Sequence, residues 1–262
     1  MEGWGSLMKK VVAVMGTQSR AATLRAVLEF ERSLKELCEV DFEIVFVHEY
    51  DLGFCKGCKL CFDYGEDKCP LYDDRDRLIE FLDRADGVVF AAPSYAYQVP
   101  ALLKNFFDRL AFTFHRPRFF NKVCTAILTR GVPVGGRIRG YMESSGANMG
   151  FTSVRGCSLW TRSPMSEDQE KQFTKRLSSA AHRFSRALQA PVPHKPSLFR
   201  LMLFRTSRSG IRASSYTGYD RVYFQEKGWF ESDYYYPIEL NFFQKASGRF
   251  FDRLGRMIGT DL

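Results

Sequence analysis

The chain has 262 residues, 45% hydrophobic and 26% charged, close to globular averages and far from collagen-like, disordered or low-complexity compositions. At roughly 150 residues per domain, this length means one large domain or one domain with a sizeable appendage. The formal charge of +8 comes from 38 Lys and Arg against 30 Asp and Glu; with the basic residues scattered and no nucleic-acid motif beside them, it reads as a bias toward anionic small molecules, and no nucleic-acid partner is expected.

Residues 7–16 form an apolar run, with Val11, Val12, Ala13, Val14 and Met15, that ends in Gly16. This is the pattern of a buried parallel strand entering a turn. Leu24, Val27, Leu28, Leu34 and Leu37 then recur at helical spacing with charged residues between them. Residues 41–47 alternate Phe42, Ile44 and Phe46 and read as a second strand. Beyond a cysteine-bearing segment, 74–84 carry Leu78, Ile79, Phe81 and Leu82 as a helix, and 87–92 are a third strand. Residues 101–114 read as a helix with Leu102, Leu103, Phe106, Phe107 and Leu110 inward, 122–129 as a fourth strand, and 151–159 as a weaker fifth. Ser166-Glu167-Asp168-Gln169 has the form of a capping box, opening a helix that reaches residue 188. Strand and helix alternate five times, and parallel neighbours need crossovers of this length. The predicted fold class is α/β, a doubly wound five-stranded parallel sheet with its ligand beyond the carboxyl ends of the strands.

Pro191-Val192-Pro193-His194-Lys195-Pro196 cannot continue a helix, so two domains are expected, 1–190 and 191–262. The second holds 15 of the 39 aromatic residues, too many for a flexible tail, and is expected to pack on the first domain or on a partner subunit. Within 241–258, Phe243, Ala246, Phe250, Leu254 and Met257 share one helical face, while Lys245, Arg249, Arg253 and Arg256 lie on others. Such a stripe more often docks on its own protein; lying on an anionic membrane surface is the alternative. No run reaches the roughly 20 apolar residues of a membrane span. The stretch after Lys9 and Lys10 is too short for a signal-peptide core, so a cytoplasmic location is the expectation.

Three loops stand at strand ends. Gly16-Thr17-Gln18-Ser19-Arg20-Ala21-Ala22-Thr23 brings together hydroxyls, a cation and helix N-terminal amides, groups suited to a phosphate monoester. A plain helix cap by Thr17 or Ser19 is the alternative. The loop lacks the GxGxxG and GxxxxGK[ST] patterns of dinucleotide and nucleotide sites. Ala92-Pro93-Ser94-Tyr95-Ala96-Tyr97-Gln98-Val99-Pro100 sets two tyrosine rings at a strand end, either a shelf for a flat heterocycle or a lid on the core. Thr129-Arg130-Gly131-Val132-Pro133-Val134-Gly135-Gly136 is glycine-rich, which lets backbone approach a ligand closely.

The first loop, the stretch PSYAYQVPALLKNFFDR from Pro93 to Arg109, and Thr129-Arg130-Gly131 together resemble the flavodoxin-like NAD(P)H-dependent FMN reductases over residues 9–188. The resemblance implies a flavodoxin-like fold and non-covalent FMN. Its phosphate would rest on Thr17, Ser19, Arg20 and Thr23, and its ribityl chain and ring on Pro93, Ser94, Tyr95, Ala96, Tyr97, Thr129, Arg130 and Gly131. It further implies a homo-oligomeric oxidoreductase that takes hydride from NAD(P)H, a transient substrate, and delivers it to a small acceptor such as a quinone or free flavin. No side chain is assigned a catalytic acid or base role. The first loop departs from the usual pattern, being one residue shorter with Ala21-Ala22 where an Asn is common.

Cys55, Cys58, Cys61 and Cys69 have the spacing CxxCxxCx7C. This suits a four-iron four-sulfur cluster, structural zinc, or thiols lining a loop without metal. The segment also resembles the iron-sulfur flavoproteins, which carry a compact cysteine motif after the second strand. That resemblance implies an alternative function, an electron carrier using FMN and a cluster, with a ferredoxin-like protein as partner. Asp73 and Asp74 are expected to cap the next helix, and Cys38, Cys124 and Cys157 to be buried as small hydrophobes. His48, His115, His182 and His194 show neither metal-ligand spacing nor a nucleophile partner, so a hydrolase finds no support.

Overall fold

The computed structural model describes residues 8–131, 135–215 and 217–260; residue 7 of the first apolar run, and Val132, Pro133 and Val134, lie outside them. In chain order, β1 (Lys9–Met15), α1 (Ala22–Lys35) and β2 (Val40–Phe46) precede a single helical turn, α2 (Leu60–Asp63). Next come α3 (Arg75–Arg84), β3 (Gly87–Pro93), α4 (Ala101–Arg109), the short α5 (Phe112–His115), β4 (Val123–Arg130) and α6 (Gly136–Asn148). They are followed by β5 (Thr152–Ser153), β6 (Cys157–Trp160) and α7 (Glu167–Leu188), then α8 (Leu198–Ala213), α9 (Tyr219–Glu226) and α10 (Phe242–Thr260). The chain divides into two compact units, one of Met1–Lys56 and Leu71–Ala190, the other of Gly57–Pro70 and Pro191–Leu262.

In the first unit the strands lie in the order β2-β1-β3-β4, all parallel, and β5 and β6 both pair with the far edge of β4. This is the flavodoxin-like order, and its direction reverses between β1 and β3, the position at the carboxyl ends where such sheets take their ligand. Register makes those ends level: Met15 lies opposite Ala91, and Pro93 opposite Thr129. The central strand β3 is apolar at every residue because both of its faces are covered. Val89 and Ala91 face a core shared with α1 and α7, where Phe30 and Phe184 meet edge to face at 5.6 Å. Phe90 points the other way, its ring 5.3 Å from Phe107 and 6.3 Å from Phe151.

Three local outcomes refine the expected elements. Ser166 and Gln169 form the capping box at the start of α7, each side chain bonded to the other's backbone N–H. The helix expected over 101–114 is broken after Arg109. There Thr113 Oγ1 donates to Leu110 O at 2.7 Å while Ala111, Thr113 and Phe114 N–H groups reach back only three residues, a side-chain competition that tightens the turn. The fifth strand is two pieces, β5 and β6, separated at Gly156, where a Cβ would lie 1.8 Å from Ala126 O. Backbone crowds backbone there, so the edge strand bends before it pairs again.

The second unit is ordered around its own ring cluster, as its aromatic content predicts. Phe204, Phe224, Trp229 and Tyr234 are buried; Trp229 stands 4.9 Å from Phe224 and 4.8 Å from Tyr235 by ring centroids, edge to face. Trp229 Nε1 donates to Tyr235 O at 3.0 Å, so the indole is buried with its polar atom satisfied.

Candidate active site

β1 is followed by Gly16, where a Cβ would fall 2.5 Å from Leu103 Cβ. The missing side chain lets α4 pack directly against the strand end. Past it, the Ser19 N–H donates to Thr17 Oγ1 at 3.1 Å and the Ala21 N–H to Ser19 Oγ at 3.3 Å. Both hydroxyls thus serve the turn as acceptors and keep their own hydrogens for an anion. Ala21 stands at the N-cap of α1, with no side-chain cap, so no side chain there satisfies the first-turn N–H groups at the positive end of the helix dipole. Arg20 is held elsewhere, 2.5 Å from Glu49 Oε1 and 4.4 Å from the Phe46 ring. Thr23 and Thr129 share a buried hydroxyl hydrogen bond of 2.7 Å that laces the first loop to the end of β4. Of the four residues expected on phosphate, the structure therefore gathers Thr17 and Ser19 beside the α1 amides and gives Arg20 and Thr23 protein partners.

The loop after β3 is a tight hairpin. Tyr95 and Gln98 exchange both N–H to O bonds at 2.9 Å, and Ala96 and Tyr97 occupy positive φ of 46° and 60°, the backbone of a primed two-residue turn. Holding two non-glycine residues there is costly. Tyr95 and Tyr97 are 56% and 69% exposed, so they do not close the core. Ser94 donates its N–H to Thr129 O at 2.8 Å. Its Oγ is buried without a hydrogen-bond partner among the described residues, a condition worth about 1–3 kcal/mol to a ligand group that relieves it. At Gly131 an added Cβ would meet nothing within 4 Å among the described residues. Arg130 turns aside, its Nε donating to Ser158 Oγ at 2.9 Å and its guanidinium 5.5 Å from the Trp160 ring; burial, then the charge of Arg176, lowers its pKa.

Sequence reasoning missed the residues that brace this end of the sheet. Asn105 on α4 donates to Leu52 O and Gly53 O at 3.2 Å and accepts from the Cys55 N–H at 3.1 Å. Arg109, one turn on, forks onto Asp73 and reaches Gly53 O at 2.8 Å, with both side chains of the ion pair almost fully buried. Asp73 also accepts from the Arg75 N–H and the Gly53 N–H. Asp73 therefore clamps a loop as well as capping α3, and Asp74 accepts from the Asp51 N–H at 2.9 Å without capping a helix amide. The spacing of Asn105 and Arg109 on one helix face was visible; that both would turn toward residues 52–55 was not.

Cys55 belongs to the first unit, and Cys58, Cys61 and Cys69 to the second. Cys55 and Cys58 are exposed, and Cys61 and Cys69 half-buried. Among the described residues no three His, Cys, Asp or Glu side chains are placed to hold a metal ion together. Cys124 and Cys157 are buried as expected, whereas Cys38 is half-buried with Sγ 3.4 Å from Ser185 Oγ; burial pushes the Cys157 thiol up to about 12.

Residues 9–163 match the family model of the NADPH-dependent FMN reductases. The chain belongs to that family. Among its relatives this FMN reductase family member is 32% identical, over 137 residues, to a protein of Archaeoglobus fulgidus named iron-sulfur flavoprotein, covering 51% of this chain and 60% of that one. A Methanosarcina thermophila protein of the same name is 29% identical over 130 residues, covering 49% and 66%. The chain thus spans about three fifths to two thirds of the length of these relatives. In fold it is similar to RosB with bound 8-demethyl-8-formylriboflavin-5'-phosphate, with a TM-score of 0.55 at 13% identity over 89% of this chain and 92% of RosB.

Proposed function

We propose that this family member is an FMN-dependent NAD(P)H oxidoreductase that hands hydride on to a small acceptor such as a quinone or free flavin. The observation that carries the reading is the Ser94 hydroxyl, buried and unpartnered at the end of β3, beside a strained hairpin and at the reversal of strand order. The polar groups present fit FMN. Thr17 and Ser19 hydroxyls and the α1 amides would hold the phosphate, Ser94 would satisfy its oxygen on a polar edge, and Tyr95 and Tyr97 would flank the ring. Bound FMN would accept hydride from a reduced nicotinamide and release it to the acceptor. The protein's part is to bind, to orient and to leave one face open; hydride transfer requires no proton from a side chain.

A second reading, an electron carrier with FMN and a four-iron four-sulfur cluster on Cys55, Cys58, Cys61 and Cys69, is supported by the names of the relatives. Cys58, Cys61 and Cys69, which share the second unit, are not placed to hold a metal ion together among the described residues, and this favours the enzyme reading on flavin. A cytoplasmic location, a homo-oligomer and, for the carrier, a ferredoxin-like partner belong to these proposals. Among the described residues no helix is long and apolar enough to cross a membrane.

The test is the absorbance spectrum of protein purified without oxygen, with iron and acid-labile sulfide assayed on the same sample, followed by NADH and NADPH oxidation with a quinone. Flavin bands and turnover support the enzyme. Stoichiometric iron with reduction only by ferredoxin-like donors supports the carrier, and protein that stays colourless after reconstitution with FMN overturns both.

A further inference from the structure

The C-terminal helix packs with the face opposite to its apolar stripe. α10 meets α8 through its smallest side chains: a Cβ on Gly255 would lie 2.4 Å from Thr206 O, and one on Gly259 2.4 Å from Gly210 O. Gly248, Asp252, Gly255 and Gly259 are all buried, and their spacings of four, three and four place them on one side of a helix. Asp252 fastens that side, accepting from Arg205 at 3.0 Å, Arg208 at 2.5 Å and Ser209 Oγ at 2.9 Å. Phe243, Phe250, Leu254 and Met257 recur at seven, four and three, half a turn away. They face outward, with Phe243 79%, Phe250 64% and Met257 67% exposed. The stripe expected to dock on the protein is therefore the one left uncovered, because glycines let two helix backbones approach more closely than phenylalanines do.

Charge is equally one-sided. α8 and α10 together carry eight Lys and Arg and a single acid, Asp252, which is buried in its arginine pairs. Lys245, Arg249, Arg253 and Arg256 are exposed at spacings of four, four and three along one flank of the stripe.

We propose that this face of α10 is a docking surface for an anionic lipid membrane. The helix lies along the surface with Phe243, Phe250, Leu254 and Met257 in the acyl boundary and its flanking cations among the phosphates. Both halves of the interface are matched: apolar stripe to acyl chain, cation flank to headgroup. A second copy of the same face would bring four cations toward four, which opposes self-association there.

The test is flotation of the full-length protein with vesicles of phosphatidylcholine alone and of phosphatidylcholine mixed with phosphatidylglycerol. Binding is expected to the mixed vesicles only and to weaken with added salt. R249Q/R253Q/R256Q should lower partitioning about a hundredfold, at roughly fivefold per cation. F243S/F250S/M257S should abolish it with an unchanged far-ultraviolet circular dichroism spectrum. Wild-type protein that ignores both vesicles, or floats equally with both, overturns the proposal whatever the variants do. A solution dimer that the triple serine variant converts to monomer also overturns it, by giving the face to a second copy, and so does an acidic protein bound through the stripe by a chain that ignores the mixed vesicles.

Discussion

At the scale of single residues, Ser94 and Asp73 carry opposite kinds of information. The Ser94 Oγ is buried without a partner, so it costs stability in the protein alone and repays it only when a ligand bonds to it. Ser94→Ala is expected to weaken FMN binding roughly tenfold while leaving the flavin-free melting temperature unchanged or higher; a fluorescence titration beside a thermal melt checks both, and unchanged FMN affinity removes Ser94 from the site. Asp73 is structural. Burial alone would raise its carboxyl, but hydrogen bonds from Arg109 and from the Arg75 and Gly53 N–H groups hold it below its usual value. A depressed carboxylate contributes stability that is full above the unfolded value of about 4 and drains away as pH falls through the folded one. Asp73→Asn leaves Arg109 buried without its counter-charge and should cost about 3 kcal/mol at neutral pH, with a flatter loss of stability than wild type below about pH 4. Urea unfolding at pH 7 and at pH 3 tests this, and parallel losses in the two proteins would refute it. The clamp that Asp73 forms could not be read from the local sequence, since Gly53 and Arg109 stand 20 and 36 residues away.

Among elements, the strands and the long helices follow from period and punctuation. β3 is apolar at every residue and ends at Pro93; α7 starts at a serine cap with Gln169 three residues on. Such signals are local, and the structure keeps them. The breaks are not. The end of α4 depends on Thr113 competing for Leu110 O, and the division of the last strand depends on how closely Gly156 passes Ala126. Gly156→Ala places a Cβ inside a backbone carbonyl, and we expect about 3 kcal/mol of destabilisation as β6 is forced from β4; a urea midpoint within experimental error of wild type would show that the bend has slack.

For the whole molecule, two compact units with separate cores predict unfolding that is not a single two-state event. FMN held by the β1, β3 and β4 loops should stabilise the unit that contains them by about 2.7 kcal/mol at a free concentration one hundred times its dissociation constant. Scanning calorimetry with and without FMN should show one transition move and another stay. A single transition that shifts as a whole would mean that the units unfold together.

Alternation of apolar strands with amphipathic helices was enough to determine the parallel sheet and to put the loops at Gly16, Pro93 and Thr129 at the carboxyl ends of its strands, because period, breakers and strand length act over a few residues. Only the tertiary structure decided which side chains remain available there. Arg20 pairs with Glu49 at the surface, and Thr23 shares a hydrogen bond with Thr129. α10 turns its glycines to α8 and its phenylalanines outward. Each outcome rests on a partner distant in sequence, and a helix's own pattern shows that it has two faces without showing which one its neighbour can approach.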